Sequence, residues 1–150
     1  MPVILGFSCS NAVMADLDNI PFSLAKQIAE RAVKRFRLGG FLILKSSEKH
    51  YHLVFDKPCR WSKVFRVISW IAIMSRQPEA WKYVCMQAIK GCCTLRVSPK
   101  PLSPQGVKPS PRLVYRYGSQ ENMIKEYLAL RKQASAIVKS LPLQRINPNF

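Results

Sequence analysis

The stretch Phe41-Leu42-Ile43-Leu44-Lys45-Ser46-Ser47-Glu48-Lys49-His50-Tyr51-His52-Leu53-Val54-Phe55 decides how this chain folds. Two runs rich in aromatic and β-branched residues, 41–44 and 51–55, flank a polar segment, 45–50. Such residues fit the half-buried surface of a pleated sheet, so the stretch reads as two strands closed into a hairpin. Asp56-Lys57-Pro58 then breaks the pattern.

Upstream of the hairpin, residues 12–17 read as a strand and 21–38 as a helix. Pro21 suits the first helical turn, with Asn19 or Ile20 at the cap. Leu24, Ile28, Ala32 and Phe36 form one apolar stripe, and Lys26, Arg31, Lys34 and Arg35 cover the rest. Gly39-Gly40 is the expected stop.

Downstream, helices are expected over 61–74 and 79–89, separated by Gln77-Pro78, and a strand over 94–97. Residues 98–111 hold five prolines and read as a loop without regular structure. A strand at 113–117, a turn at Gly118 and a helix over 120–139 complete the domain. Residues 1–141 form one α+β domain, and 142–150 are expected to be a flexible tail. The order β-α-β-β-α-α-β-β-α predicts a two-layer architecture, an antiparallel or mixed sheet with helices packed on one face. The other face would be free to meet a ligand.

With 150 residues, 48% of them hydrophobic, the chain can bury one proper core. Its net charge of +16 implies an anionic partner, nucleic acid before an anionic membrane surface. A membrane partner is disfavoured, because the longest apolar run, 67–74, falls far short of the ~20 residues of a spanning helix. The N-terminus has no basic n-region of a secretory signal, so an intracellular, cytoplasmic protein is expected. Cys9, Cys59, Cys85, Cys92 and Cys93 have no zinc-site spacing and read as buried thiols.

Acids are scarce, and two of the eight lie together. Asp16 and Asp18 are the only charged side chains in the first 25 residues, and in a strand they project from one face. Like charges so placed repel and are costly to desolvate unless a cation or hydrogen-bond donors satisfy them. A divalent metal, Mg²⁺ or Mn²⁺, is the expected partner of this pair.

Three motifs follow in order: Asp16-Leu17-Asp18, then Ser46 with His52 six residues on, then Thr94-Leu95-Arg96-Val97-Ser98. Over roughly residues 12–100 they resemble the archaeo-eukaryotic primase superfamily, whose core is similar to the RNA-recognition fold. The resemblance implies Asp16 and Asp18 as the metal-binding pair and His52 as a further catalytic residue. It implies that Ser46, His52 and Arg96 contact nucleotide or backbone phosphate. A third acid should precede the Leu95-Arg96 strand, yet no Asp or Glu lies between Glu79 and Glu121. The resemblance is therefore to a catalytically reduced member, acting in the replication of a plasmid, virus or mobile element. DNA is favoured over RNA as partner, and any catalysis would need a further replication protein.

The wider nucleic-acid footprint is expected to include Lys49, Lys100, Arg112 and Arg116, with Lys108 on the proline-rich arm. Tyr115 and Tyr117 share a strand face and are candidates for base stacking, whereas Trp61, Trp70 and Trp81 are expected to pack. An alternative reading takes His50-Tyr51-His52 as a metal-chelating pair of a replication-initiator endonuclease, with Tyr127 as nucleophile. Plainer readings stand beside these. Asp16 and Asp18 also suit the approach to a helix, His52 a packed sheet position, His50 a solvated turn edge, and Tyr127 the core.

Overall fold

The computed structural model describes residues 4–102 and 106–140. Among them the chain forms strands β1 (Gly6–Cys9) and β2 (Met14–Leu17), helix α1 (Phe22–Phe36), and strands β3 (Gly40–Ser47) and β4 (His50–Phe55). Helices α2 (Trp61–Ser75) and α3 (Pro78–Lys90) follow, then strands β5 (Cys93–Arg96), β6 (Lys100–Leu102), β7 (Gly106–Lys108) and β8 (Arg112–Gly118), and helix α4 (Met123–Ser140). The fold is α+β, with helices packed against antiparallel sheet.

The deciding hairpin is the centre of the main sheet, whose order is β2-β4-β3-β8. Its polar segment is mostly strand. Lys45, Ser46 and Ser47 extend β3, and Ser47 pairs with His50, leaving Glu48 and Lys49 as a two-residue turn. Lys49 takes a left-handed conformation there, at φ 60°, as tight hairpin turns require. The register slips between Lys45 and Ser47, so Ser46 is the extra residue of a bulge.

Phe41, Leu42, Ile43 and Leu44 are all fully buried. Consecutive strand residues point to opposite faces, so both sides of β3 are covered. Each such side chain stabilises the fold by about 1.5–3 kcal/mol. On one side the α1 residue Phe22 packs against Tyr51 and Tyr115, and Phe41 meets Phe55, Tyr115 and Tyr117. The other side carries Met14, Leu42, Leu44 and Val54, all 0% exposed. The expected open face is thus closed over the sheet centre, and a ligand must approach from an edge.

The β1–β5 pair stands beside β2. Helix α3 holds it there: Tyr83 donates to the Met14 carbonyl at 2.7 Å, and Gln87 Oε1 accepts the Thr94 N–H at 2.8 Å. Helix α4 docks on β1 and β4, with Tyr127 edge-on to Phe7. Its start is capped from a distance. The Asp56 carboxylate accepts the Asn122 and Ile124 N–H groups and the Ser119 hydroxyl, and the Asp56 carbonyl accepts the Met123 N–H.

Several local expectations change. Pro21 is itself the cap position of α1, and Asn19 turns the chain at φ 57°. Arg37, not Gly39-Gly40, ends α1 in the left-handed region, with its N–H on the Val33 carbonyl. Gly40 belongs to β3, where a Cβ would lie 2.1 Å from the Ser119 carbonyl oxygen. Residues 98–111 are not structureless, because β6 and β7 pair as a hairpin with Lys100 opposite Lys108. Strand β1 has no counterpart in the local reading. Of the five free thiols only Cys59 and Cys93 are buried. Trp81 is 43% exposed rather than packed. The expected tail, 142–150, lies outside the described residues. No helix among the described residues is long and apolar enough to cross a membrane.

Candidate functional site

Strands β2 and β4 run antiparallel with Asp16 directly opposite His52. Continuing that register past Leu17–Tyr51 brings Asp18 to His50, two residues on. The two period-two motifs, Asp-x-Asp and His-x-His, therefore meet as two cross-strand pairs on one face. His50 Nδ1 lies 2.6 Å from Asp18 Oδ1, a short hydrogen bond in which the imidazole donates. His52 Nε2 lies 3.6 Å from Asp16 Oδ1, a contact too long for a hydrogen bond.

Of the four side chains only His52 is buried, at 5% exposed; Asp16, Asp18 and His50 are each about one-third exposed. Burial, reinforced by the Arg96, Lys108 and His50 charges, lowers the His52 pKa to about 3. Burial and the neighbouring Asp18 charge raise Asp16 to about 7, against the opposing pull of Lys108, His50 and Arg96. His52 is therefore neutral near pH 7 and Asp16 only partly ionised, so the 3.6 Å contact is not an ion pair. His52 Nδ1 is buried with no hydrogen-bond partner among the described residues.

Arg96 and Lys108 complete the cluster. Leu95 and Val97 turn into the core at 2% and 5% exposure, so alternation sends Arg96 the other way, toward Asp16. Arg96 Nη1 donates to the carbonyls of Ser98 and Pro109, which ties the β6–β7 arm to β5. Its Nη2 is buried without a partner among the described residues. Burial lowers the Lys108 pKa, and Arg96 adds to that shift. Cations held this close gain from an anion placed between them.

The other expected residues are distributed as follows. Ser46 is 3% exposed and its hydroxyl donates to the His50 carbonyl at 3.4 Å, so it braces the hairpin turn. Lys49 is exposed on that turn, and its carbonyl accepts the Ile20 N–H. Lys100 is exposed on the arm. Arg112 pairs in register with Lys45, whose neighbours Tyr51 and Leu17 mark the sheet face opposite Asp16 and His52. Arg116 is exposed farther along β8. Tyr115 is enclosed by Phe22 and Phe41 with Lys26 over its ring, while Tyr117 stacks on Phe41 and is 39% exposed. The structure thus unites Asp16, Asp18, His52 and Arg96 and leaves Arg112 apart.

Tyr127 is fully buried, and burial raises its hydroxyl to about 12, with Arg131 pulling the other way. His50, expected either as half of a chelating pair with His52 or as a solvated turn edge, is hydrogen-bonded to Asp18. Its partnership with Asp18 was signalled only by the matching spacing of the two motifs. Among the described residues no three His, Cys, Asp or Glu side chains converge as a metal-binding group. Where a third acid would be sought, β5 carries Cys93 and Thr94. Comparison with protein-family models, curated proteins and solved structures finds no match.

Proposed function

We propose that this protein binds nucleic acid through the cluster at the β2–β4 edge, as a reduced, primase-like module serving replication of a plasmid, virus or mobile element. The observation that carries this reading is the meeting of Asp16, Asp18, His50 and His52 with Arg96 and Lys108. Carboxylates, imidazoles and cations brought together from four separate strands would serve a phosphodiester and its counter-ion together. Arg96 and Lys108 would hold backbone phosphate, with Lys49 and Lys100 extending the track. DNA remains the preferred polymer, and a second replication protein the preferred partner.

Two carboxylates two residues apart suit one Mg²⁺ or Mn²⁺, whose remaining ligands would be water and phosphate oxygens. The raised pKa of Asp16 beside Asp18 fits a pair that a cation would relieve. When bound, the cation would neutralise phosphate charge. Asp16 and Asp18 would orient it, and His52 would stay neutral beside it. With two acids rather than three, the set favours binding over nucleotidyl transfer. No comparable observation supports nicking by Tyr127, which is enclosed in the core.

The test is fluorescence anisotropy with labelled single-stranded DNA, duplex DNA and RNA across a salt series. Binding with a steep negative salt slope is expected. Absence of salt-dependent binding to all three would overturn the proposal. Nucleotide incorporation with Mn²⁺ that disappears in Asp16→Ala would convert the binding reading into an enzymatic one.

A further inference from the structure

A polar groove lies against α4, outside the Asp16–His52 cluster. Val97, Ser110, Leu128, Arg131, Lys132 and Ser135 line a groove of about 290 Å³ between the end of β5, residues 109–111 and α4. That volume is at the lower end of small-ligand sites, which run ~300–1,000 Å³. Its chemistry is one-sided: among the described residues the lining holds two cations and two hydroxyls beside apolar Val97 and Leu128, and no carboxylate.

The groove's wall is pinned from both sides. Arg96 donates to the Pro109 carbonyl, and Arg131 donates to the Pro111 carbonyl. Ser110, between them, faces the groove. A guanidinium has five N–H donors in a planar fork, so Arg131 can brace the wall and still present donors to a ligand. Arg96 also belongs to the Asp16–His52 cluster, so its bond to the Pro109 carbonyl links that cluster to the segment carrying Ser110.

From this we infer that the α4 groove is a second phosphate-binding subsite, taking one phosphate of a nucleotide or of a nucleic-acid strand. Arg131 and Lys132 supply charge, Ser110 and Ser135 donate hydrogen bonds, and Leu128 and Val97 receive the sugar or base edge. The strand form of this inference rests on the proposed nucleic-acid function, whereas the phosphate chemistry of the groove does not.

The experiment uses the full chain, with amide shifts followed by NMR during titration with inorganic phosphate and then with a short oligothymidylate. Both probes should perturb Ser110, Arg131 and Ser135. Ser135→Glu places a carboxylate in the groove from an exposed helix position. It should erase the phosphate response, weaken oligothymidylate about tenfold and lower the salt slope by about 0.7, the loss of one phosphate contact. Gln133→Glu, which adds the same charge at an exposed α4 position outside the lining, should leave both responses close to wild type, and circular dichroism checks that both variants fold. Phosphate shifts in the groove with no oligothymidylate binding would support the subsite, assign it to free nucleotides, and overturn the nucleic-acid reading instead. Oligothymidylate bound equally by wild type and Ser135→Glu would overturn the groove while leaving the nucleic-acid reading intact.

Discussion

Asp16 and His52 face each other across the β2–β4 ladder at 3.6 Å, and their surroundings drive both toward the neutral form near pH 7. Their effects on stability oppose one another. Asp16 in the folded state keeps its proton up to about pH 7, whereas an unfolded aspartate loses it near 4, so stability falls as pH rises between those values. His52 stays unprotonated down to about pH 3, whereas an unfolded histidine gains a proton below ~6.5, so stability falls as pH drops through that range. Asp16→Asn should therefore gain stability relative to wild type at pH 8 and little at pH 4. Urea melts at both pH values check this, and an equal effect at both would refute it.

The Asp18–His50 hydrogen bond is one-third exposed and joins two strands, a setting worth about 0.2–1 kcal/mol. A double-mutant cycle of Asp18→Asn and His50→Ala should give a coupling in that range. With so small a structural cost, a tenfold or larger loss of DNA affinity in either single variant would report binding rather than unfolding.

Removing Arg96 should act in two places. Arg96→Ala frees the Ser98 and Pro109 carbonyls, so amide exchange in β6 and β7 should quicken. The same change removes a cation that lowers both neighbouring pKa values, so Asp16 and His52 should both titrate at higher pH. NMR titration of the two side chains reads this directly. Unchanged titration would place Arg96 outside the cluster.

The Asp56 carboxylate accepts four hydrogen bonds, from Ser119, Asn122 and Ile124. Burial alone would raise its pKa, but hydrogen bonds from Ser119, Asn122 and Ile124 together outweigh it and hold the carboxyl below its usual range. A group so depressed stabilises the fold above ~pH 4, and that contribution is lost as pH falls through the folded-state value. Asp56→Ala should cost about 2 kcal/mol or more at pH 7, through a lost cap and unsatisfied donors. The deficit should shrink in acid, as chemical denaturation at pH 7 and pH 3 would reveal.

Gly40 tests the close approach of β3 to the turn after β8. A methyl group there would overlap the Ser119 backbone, and backbone cannot swing aside as a side chain can. Gly40→Ala should destabilise by about 1–3 kcal/mol. Gly91→Ala, where no atom lies within 4 Å of the added carbon, isolates the purely conformational cost at φ +72°. Thermal melts compare the two.

Local sequence carried much of the fold, and the reasons lie in particular residues. Leu42 and Val54 sit in runs that only a sheet would bury, and the stripe from Ile28 to Phe36 suits only a helix against a core. The misreadings share a cause. Gly6–Cys9 alternates too weakly to signal a strand, and forms one because Gln87, accepting the Thr94 N–H, holds β5 where β1 can pair with it. The proline-rich arm pairs because Arg96 grips the Pro109 carbonyl, a contact thirteen residues away in sequence. Arg112 looked equivalent to Arg96 by charge, but β3–β8 register turns it to the opposite face.

By itself, the amino-acid order determined the α+β class, the placement of the principal helices and strands, the cationic excess, and the one-sidedness of Asp16 with Asp18 and of His50 with His52. Those properties follow from side-chain period, propensity and charge, which act over a few residues. Only the tertiary structure decided that these two pairs oppose each other, that Arg96 and Lys108 close around them, and that both faces of β3 are covered. Strand register between distant segments is set by which side chains the whole core buries, and a slip of one residue would have sent every one of these groups to the other face.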